Sequence, residues 1–555
     1  MGYLVIATIV IFIFFIVSLA QRKKRQKIIF QIQSAWANPK TEYFDFSKIS
    51  NYADVTEKNE FHHLTEQTIE DIDLFGLFKF IDRTTSKVGQ QFLYKKIIEP
   101  SNETQDYSEK FIELFSADKR LREEIQLELL KLSSPDAYYI PTLLKGGLLT
   151  KPKWFNLLKI DIAVVVSLVI LSLKFYFFLI ALIVPFAVNM FLHFWNKNNT
   201  FQFGRSIPQL NSLINIAKTL SSKNELLRNK EVEGSISKLR SFQQKSFLIK
   251  FDFQSSIQDG ISQILFYLLD LVKAFFLVEI FTLFKIVKEL EQKQSSIITL
   301  FNYVGNIDSS ISVASLRNGK LKTCQPVFIS TGKEFTIKGA YHPLIDNCVK
   351  NDLSVNNRSI LITGSNMSGK STFLRTVILN SVLAQTIYTC FADEFSTAIL
   401  KQYSSIKIND NLFEGKSYYF QEVSIMASLL KEAKSQFQNL FILDEVFKGT
   451  NTIERIASAK AILSYLNQNN NIVMVATHDI ELADMLNGEY DLYHFTETIE
   501  NNELHFDHKI RMGQLKTRNA IKLLELLKYP SEIVNEAQQI SSLLVTKTIG
   551  RKISD

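Results

Sequence analysis

The stretch Gly364-Ser365-Asn366-Met367-Ser368-Gly369-Lys370-Ser371, with Thr372 after it, has the residue types and spacing of a phosphate-binding loop. Its glycines let the backbone curl so that successive N–H groups point at phosphate oxygens. The helix that follows adds the positive end of its dipole, Lys370 reaches the β- and γ-phosphates, and Ser371 offers a hydroxyl to Mg²⁺. The flanks fit: Ser359-Ile360-Leu361-Ile362 reads as a buried strand and Thr372 to Gln385 as a helix. The expected ligand is ATP with Mg²⁺.

Further along, Leu440-Phe441-Ile442-Leu443 is an apolar strand that delivers Asp444 and Glu445 at its end. Asp444 is placed to hold Mg²⁺, with Ser371, and Glu445 to polarise an attacking water. Val473-Met474-Val475-Ala476-Thr477-His478 puts a histidine at the end of another strand, where it can contact a γ-phosphate or its water. Between these lies Asp410 to Phe420, in which Gly415 and Ser417 open a helix running through Lys431. Taken alone that segment is a loop and a helix cap. Taken with the sheet, Ser417 is a donor for the γ-phosphate of a facing subunit. Lys370, Glu445 and His478 are thus the expected catalytic residues.

Together these segments resemble the ATPase domain of the MutS mismatch-repair family. The resemblance rests on Thr363 to Arg375, Asp410 to Glu422, Leu443 to Asn451 (Leu-Asp-Glu-Val-Phe-Lys-Gly-Thr-Asn) and Ala476 to Leu482. Transporter ATPases of the ABC type carry Leu-Ser-Gly-Gly-Gln where this chain has Gly415–Ser417. Thr68 to Leu93 is similar to the start of the family's helical core, Ile307 to Leu316 to the end of its lever, and Tyr529 to Val534 to its C-terminal helix-turn-helix. Gly339-Ala-Tyr-His-Pro343 resembles the loop that borders the adenine, which implies a contact from His342. The resemblance implies a homodimer with composite ATP sites, in which Ser417 and the Gly449-Thr450-Asn451 turn complete the partner's site. It also implies DNA as a partner.

These residues need a sheet to hold them, and the pattern supplies one. From about 325, short strand-like runs alternate with helices, as in an α/β domain with a largely parallel sheet. The expected fold class is that α/β P-loop NTPase domain, of the MutS/ABC type, preceded by an all-α core and lever with transmembrane helices. The expected domains are 1–21 (anchor), 22–64 (connector), 65–159 (first part of the helical core), 160–196 (transmembrane hairpin), 197–322 (core and lever), 323–512 (ATPase) and 513–555 (dimerisation). In 555 residues the net charge of +7 is compatible with nucleic acid or an anionic membrane and requires neither. Three scattered cysteines without CxxC spacing argue against a disulfide framework or a zinc site.

Gly2 to Ala20 carries no charge and is followed by Arg22-Lys23-Lys24-Arg25-Gln26-Lys27. A signal peptide has its positive charge before the apolar run, so this order favours an uncleaved anchor with residue 22 onward in the cytoplasm. Ile162 to Trp195, broken only by Lys174 and Pro185, suits two short crossings that turn near Lys174-Phe175-Tyr176. A buried helical hairpin in a soluble core is the alternative. Ile261 to Val287 carries Asp270, Lys273, Glu279 and Lys285, which fits a packed helix better than a span. The expected location is the cytoplasmic membrane, multi-pass, with the ATPase domain in the cytoplasm.

The resemblance stops short of mismatch reading. Only about 65 residues precede the core, and the three Phe-x-Glu matches, at Phe111, Phe420 and Phe495, lie in a charged helix or inside the ATPase segment. In Ser222 to Lys250, Lys and Arg alternate with Glu, as on a solvated face rather than a phosphate-tracking stripe. The reading is a membrane-anchored MutS-like ATPase whose cycle closes a dimer and acts on DNA. Its rivals are a membrane ATPase with a membrane or protein load, and a nucleotide-gated scaffold with little turnover.

Overall fold

The computed structural model describes residues 2–103, 108–145, 155–199, 201–246, 268, 271–329, 332–365, 367–407, 418–500, 503–514, 520–526 and 528–552. The chain forms two units. One comprises residues 1–58, 78–96 and 107–319; the other comprises 59–77, 97–106 and 320–555.

The first unit is helical. Its spine is the 24-residue helix Gln294–Arg317, whose C-terminal two-thirds are almost wholly buried. Small residues allow neighbours to come close. A side chain at Gly305 would meet Phe92 at 2.5 Å, and one at Gly89 would meet Asp308 at 2.2 Å. Asp308 is fully buried and accepts the N–H of Thr85 (2.8 Å), the N–H of Ser86 (2.7 Å) and the Ser86 hydroxyl (2.6 Å). Burial pushes its carboxyl up to about 6 against those donors. One turn on, the Ser312 hydroxyl accepts the Arg83 N–H at 2.8 Å. The turn Asp82–Ser86 is therefore clamped to the spine by side chains, because its N–H groups have no ladder to join.

The same unit carries the apolar hairpin. Phe155–Ser172 and the stretch Phe178–Trp195 are long and apolar enough to cross a membrane, with mean hydropathies of 2.1 and 2.0 and only 17% of each buried. The bend falls at residues 173–177, where the sequence placed it. The N-terminal apolar run is part of one 34-residue helix, Gly2–Ala35, which continues through the basic stretch. Most of Ile261–Val287 lies outside the described residues, but Val278–Glu291 is a helix that buries Ile280, Leu283, Ile286 and Leu290.

The second unit holds two sheets. Strands β1 (Val327–Phe328), β2 (Glu334–Ala340), β3 (Asn351–Asn356) and β5 (Glu394–Thr397) form one, in the order β1-β5-β2-β3. The other contains β4 (Ser359–Thr363), β6 (Lys401–Ser405), β7 (Asn439–Asp444), β8 (Ile472–Thr477), β9 (Tyr490–Glu500) and β10 (Glu503–Met512), in the order β10-β9-β4-β8-β7-β6. All its pairs are parallel except β9–β10. Every residue of β4 and β8 is buried, as their unbroken apolar runs require. The chain crosses from one side of β4 to the other, so the crevice at the C-terminal ends of β4, β7 and β8 is the switch point of the sheet.

Residues 59–77 and 97–106 belong to this second unit, whereas the sequence boundary at 65 assigned everything up to 159 to the helical core. The reason is the exposed edge at β6. Asp71 accepts the Ser404 hydroxyl and the N–H groups of Ile406 and Lys407 at 2.7–2.9 Å, and the His62 ring bonds the Gln402 carbonyl at 2.9 Å. These contacts cover an edge that would otherwise offer free backbone groups. At the far end, the helices Ala520–Leu526 and Ser531–Lys552 flank Tyr529-Pro530.

Replacing Asp308 by Ala would leave three buried donors without an acceptor, a loss on the order of 3 kcal/mol. We expect a clearly lowered thermal midpoint for Asp308→Ala and a smaller loss for Asp308→Asn, which keeps one acceptor. Equal midpoints for Asp308→Ala and wild type would show that the clamp is dispensable.

Candidate active site

At the end of β4 the loop reverses through backbone that favours glycine. Gly364 and Gly369 have φ of +150° and +109°, and Met367 joins them at +74°. A side chain on Gly364 would lie 2.9 Å from the Phe495 carbonyl oxygen. Gly369 then opens the helix Lys370–Ile387 with no side-chain cap, so the first N–H groups stay available. Lys370 is buried, and its Nζ donates to the carbonyls of Gly364 and Ser365, both at 2.8 Å. Burial pulls its pKa down. The Ser365 hydroxyl bonds the Glu497 carboxylate on β9.

Parallel pairing of β4, β8 and β7 brings the acids to this loop. The Ser371 hydroxyl donates to Oδ2 of Asp444, while Oδ1 of Asp444 is buried without a hydrogen-bond partner among the described residues. Burial raises the Asp444 pKa. A hydroxyl beside a carboxylate with a spare oxygen is a hard-oxygen donor pair of the kind that takes Mg²⁺, which keeps several waters and needs only one or two protein ligands. Ser371 and Asp444 therefore fit the cation.

Glu445 follows with φ of +50°. Its carboxylate faces His478 Nδ1 at 3.4 Å and Lys448 Nζ at 2.5 Å. The His478 ring, then Lys448, hold it down to about 2. Glu445 in turn raises His478 above its ordinary 6.5. Behind His478, Arg455 grips Asp479 with two bonds at 2.7 and 3.1 Å. The turn beyond Glu445 is held by Glu422, buried on the helix Tyr418–Glu432, which accepts the N–H groups of Lys448 (3.2 Å) and Gly449 (3.3 Å).

A cavity of about 660 Å³ joins these parts. Ser365, Met367, Gly369 through Thr372, Asp444 and Glu445 line it, with Lys448 and His508. Gly364, Ser368 and His478 stand beside it: Ser368 is buried, and its carbonyl bonds His508 Nδ1 at 3.1 Å. His342 does not line the cavity. It is buried in its own loop, where its N–H faces Cys348 Sγ at 3.3 Å, and residues 345–349 of that loop form the wall. Thr450 is not among the lining residues; its hydroxyl donates to Glu454 at 3.2 Å, at the start of the helix Thr452–Leu466. Asn366 and Ser417 lie outside the described residues.

Four neighbours escaped the sequence reading: Glu422, Lys448, Arg455 and His508. Lys448 and Glu422 sit inside segments already singled out, so their position was the available signal. Arg455 looks like a surface helix residue, and His508 comes from β10 with no local pattern to mark it.

A helical protein with a mixed α/β domain, whose loops gather at the ends of parallel strands, is the class that fold and site define. Residues 360–545 match the family model MutS domain V. The chain is 30% identical over 276 residues to the DNA mismatch repair protein MutS of Pseudothermotoga lettingae, covering 48% of this chain and 33% of that relative. It is 30% identical over 223 residues to the DNA mismatch repair protein MutS of Thermus thermophilus, covering 40% and 27%. The DNA mismatch repair protein MSH3 of Phaeosphaeria nodorum is 29% identical over 277 residues, covering 47% and 24%. Over its C-terminal part the chain is thus similar to MutS-family proteins. It matches these relatives over about a third of their length or less.

The His478–Glu445 attraction needs a protonated ring, so its contribution is full below 6.5 and fades as pH rises through the raised value. We expect His478 to titrate above 6.5 by NMR in wild type and to move back toward 6.5 in Glu445→Gln. An unchanged His478 midpoint in that variant would contradict the pairing.

Proposed function

We propose that the second unit binds ATP with Mg²⁺ and hydrolyses it. The observation that carries this reading is the Ser371–Asp444 pair: a half-buried carboxylate with one oxygen unpartnered among the described residues, beside Glu445, in one cavity with the glycine loop. The N–H groups at the start of the helix Lys370–Ile387 receive phosphate oxygens. Lys370 exchanges the carbonyls of Gly364 and Ser365 for the β- and γ-phosphates. Mg²⁺, held by Ser371 and Asp444, supplies charge neutralisation at the phosphate oxygens when bound. Glu445 accepts a proton from the attacking water as the new P–O bond forms and the bond to ADP breaks. To do so it must give up part of its pairing with Lys448 and His478, and His478 then turns to the γ-phosphate. His342 acts through the loop that walls the cavity.

The rest of the reading concerns assembly and load. In the proposed homodimer, Ser417 and Thr450 of one subunit complete the other's site, so ATP closes the pair and hydrolysis reopens it. DNA is the proposed load, supported by the family and by the relatives' names; mismatch specificity is not part of the proposal. The apolar hairpin and the N-terminal run are proposed to fix the protein in the cytoplasmic membrane, with the ATPase unit in the cytoplasm. The outward-facing hairpin, with Ile170, Ile180, Val184 and Phe191 all exposed, specifically favours a second reading in which the stroke acts on a membrane or protein partner without DNA.

Two measurements test these claims. For Glu445→Gln we expect ATP turnover to fall by about 100-fold or more with ATP still bound, and for Lys370→Ala we expect binding itself to fail. Unchanged turnover in Glu445→Gln would remove its assigned role, and a wild type that binds without turnover would leave a nucleotide-gated scaffold. For the detergent-solubilised full chain, we expect DNA affinity to fall steeply with salt and to depend on ATP. No DNA binding at low salt would transfer the stroke to the second reading.

A further inference from the structure

A second cavity, of about 510 Å³, lies wholly within the helical unit. Residues 28–42, at the end of the N-terminal helix and beyond it, form one wall. The clamped turn supplies Arg83, Thr85 and Lys87, and Gln126 and Ser315 close the far side. The volume is in the range of small-molecule sites.

Its charges do not balance. Lys40 is paired with the fully buried Asp82 at 2.9 Å, and Lys87 with Glu42 at 3.0 and 3.1 Å. Among the described residues Arg83 forms no salt bridge, although Asp82's charge acts on it and the Phe80 ring lies 5.8 Å from its guanidinium carbon. Only 9% of Arg83 is exposed; its Nε donates to the Asn38 carbonyl at 3.2 Å, and its Nη1 is buried with no hydrogen-bond partner among the described residues. Burial pulls its pKa down to about 10, so it stays charged at neutral pH. Gln126, whose Nε2 donates to the Thr85 hydroxyl at 3.4 Å, also has a buried Oε1 without a partner among the described residues. A buried guanidinium normally finds a carboxylate or a phosphate, because an unpaired charge and an unmade donor are both expensive.

We propose that this cavity is a binding site for a phosphate-type anion, with Arg83 as its anchor. The site is separate from the glycine loop and does not depend on ATP binding there. Two sources share the chemistry: a soluble phosphate compound and an anionic lipid headgroup. The second is in reach if the N-terminal helix is an anchor, since Ile28 lies eight residues past Ala20, about 12 Å along the helix at 1.5 Å per residue.

The test uses Trp36, which lines the cavity and is one of three tryptophans in the chain. The full-length protein is prepared in detergent with Trp154→Phe and Trp195→Phe, so that Trp36 alone reports, and with Lys370→Ala to silence the glycine loop. Inorganic phosphate is titrated in one arm; in the other, nanodiscs of phosphatidylglycerol are compared with nanodiscs of phosphatidylcholine. We expect a saturable change in Trp36 emission, weakened about tenfold or more by Arg83→Gln, as for loss of a charge-assisted bond. Ala35→Phe, at an exposed position on the cavity wall, should block it without touching the core. A response to free phosphate supports a soluble source, and a response to phosphatidylglycerol alone supports a headgroup. No response to either probe in folded protein overturns the proposal, as does full-affinity binding by Arg83→Gln. If Arg83→Gln does not fold, Ala35→Phe decides: lost binding supports the site and retained affinity overturns it.

Discussion

The site in the α/β unit turns on one half-buried carboxylate. Asp444 ends β7 inside the parallel sheet, half-buried, with the Ser371 hydroxyl on Oδ2 and, among the described residues, no hydrogen-bond partner on its buried Oδ1. Such a group is costly to bury unless something completes its coordination. The surroundings are those of a site that waits for charge. Lys370 is folded back onto carbonyls, the helix start is uncapped, and Glu445 is held by two basic side chains. Each of these groups is satisfied in a way that a phosphate could replace.

Holding that geometry requires a turn most residues resist. Glu445 and Phe447 both take positive φ, at +50° and +65°, where a side chain is disfavoured. Phe447 is nevertheless buried, its ring 6.0 Å from that of Tyr419, and Glu422 collects the N–H groups that follow it. Tyr419 and Glu422 belong to the helix that begins just after Ser417. The turn carrying the proposed base is thus tied to the start of the helix that follows Ser417 in sequence. On the other side of Ser417 in sequence, Asp71 holds Ile406 and Lys407.

This explains what could and could not be read from the sequence. The glycine loop, the acids after β7 and the histidine after β8 were legible because each is a short-range pattern: an apolar run, then the residues that its end presents. The apolar hairpin and its bend were legible for the same reason. The roles of Asp71 and His62 were not, since both act on β6 more than 300 residues away, His62 from a stretch that looks like a polar connector and Asp71 from one that looks like the start of the helical core. His508 reaches the cavity only because β10 pairs with β9 and β9 with β4. His342 shows the opposite failure. The sequence offered Gly339–Pro343 as a loop bordering the adenine, but His342 is buried there and does not line the cavity, whereas residues 345–349 beyond it do.

The helical unit shows the same economy of charge, with one remainder. On the turn after Ile81, Asp82 takes Lys40, Gln90 and the Thr84 hydroxyl, while Asp308 takes Thr85 and Ser86. Both carboxylates are thereby used up in holding the turn to its neighbours. Arg83 follows Asp82 directly and feels its charge, yet neither carboxylate accepts a hydrogen bond from its Nη1. The clamp spends these acceptors on the turn's own donors and leaves that nitrogen without a partner among the described residues. A buried guanidinium nitrogen left in this way is best accounted for by an anion from outside the chain.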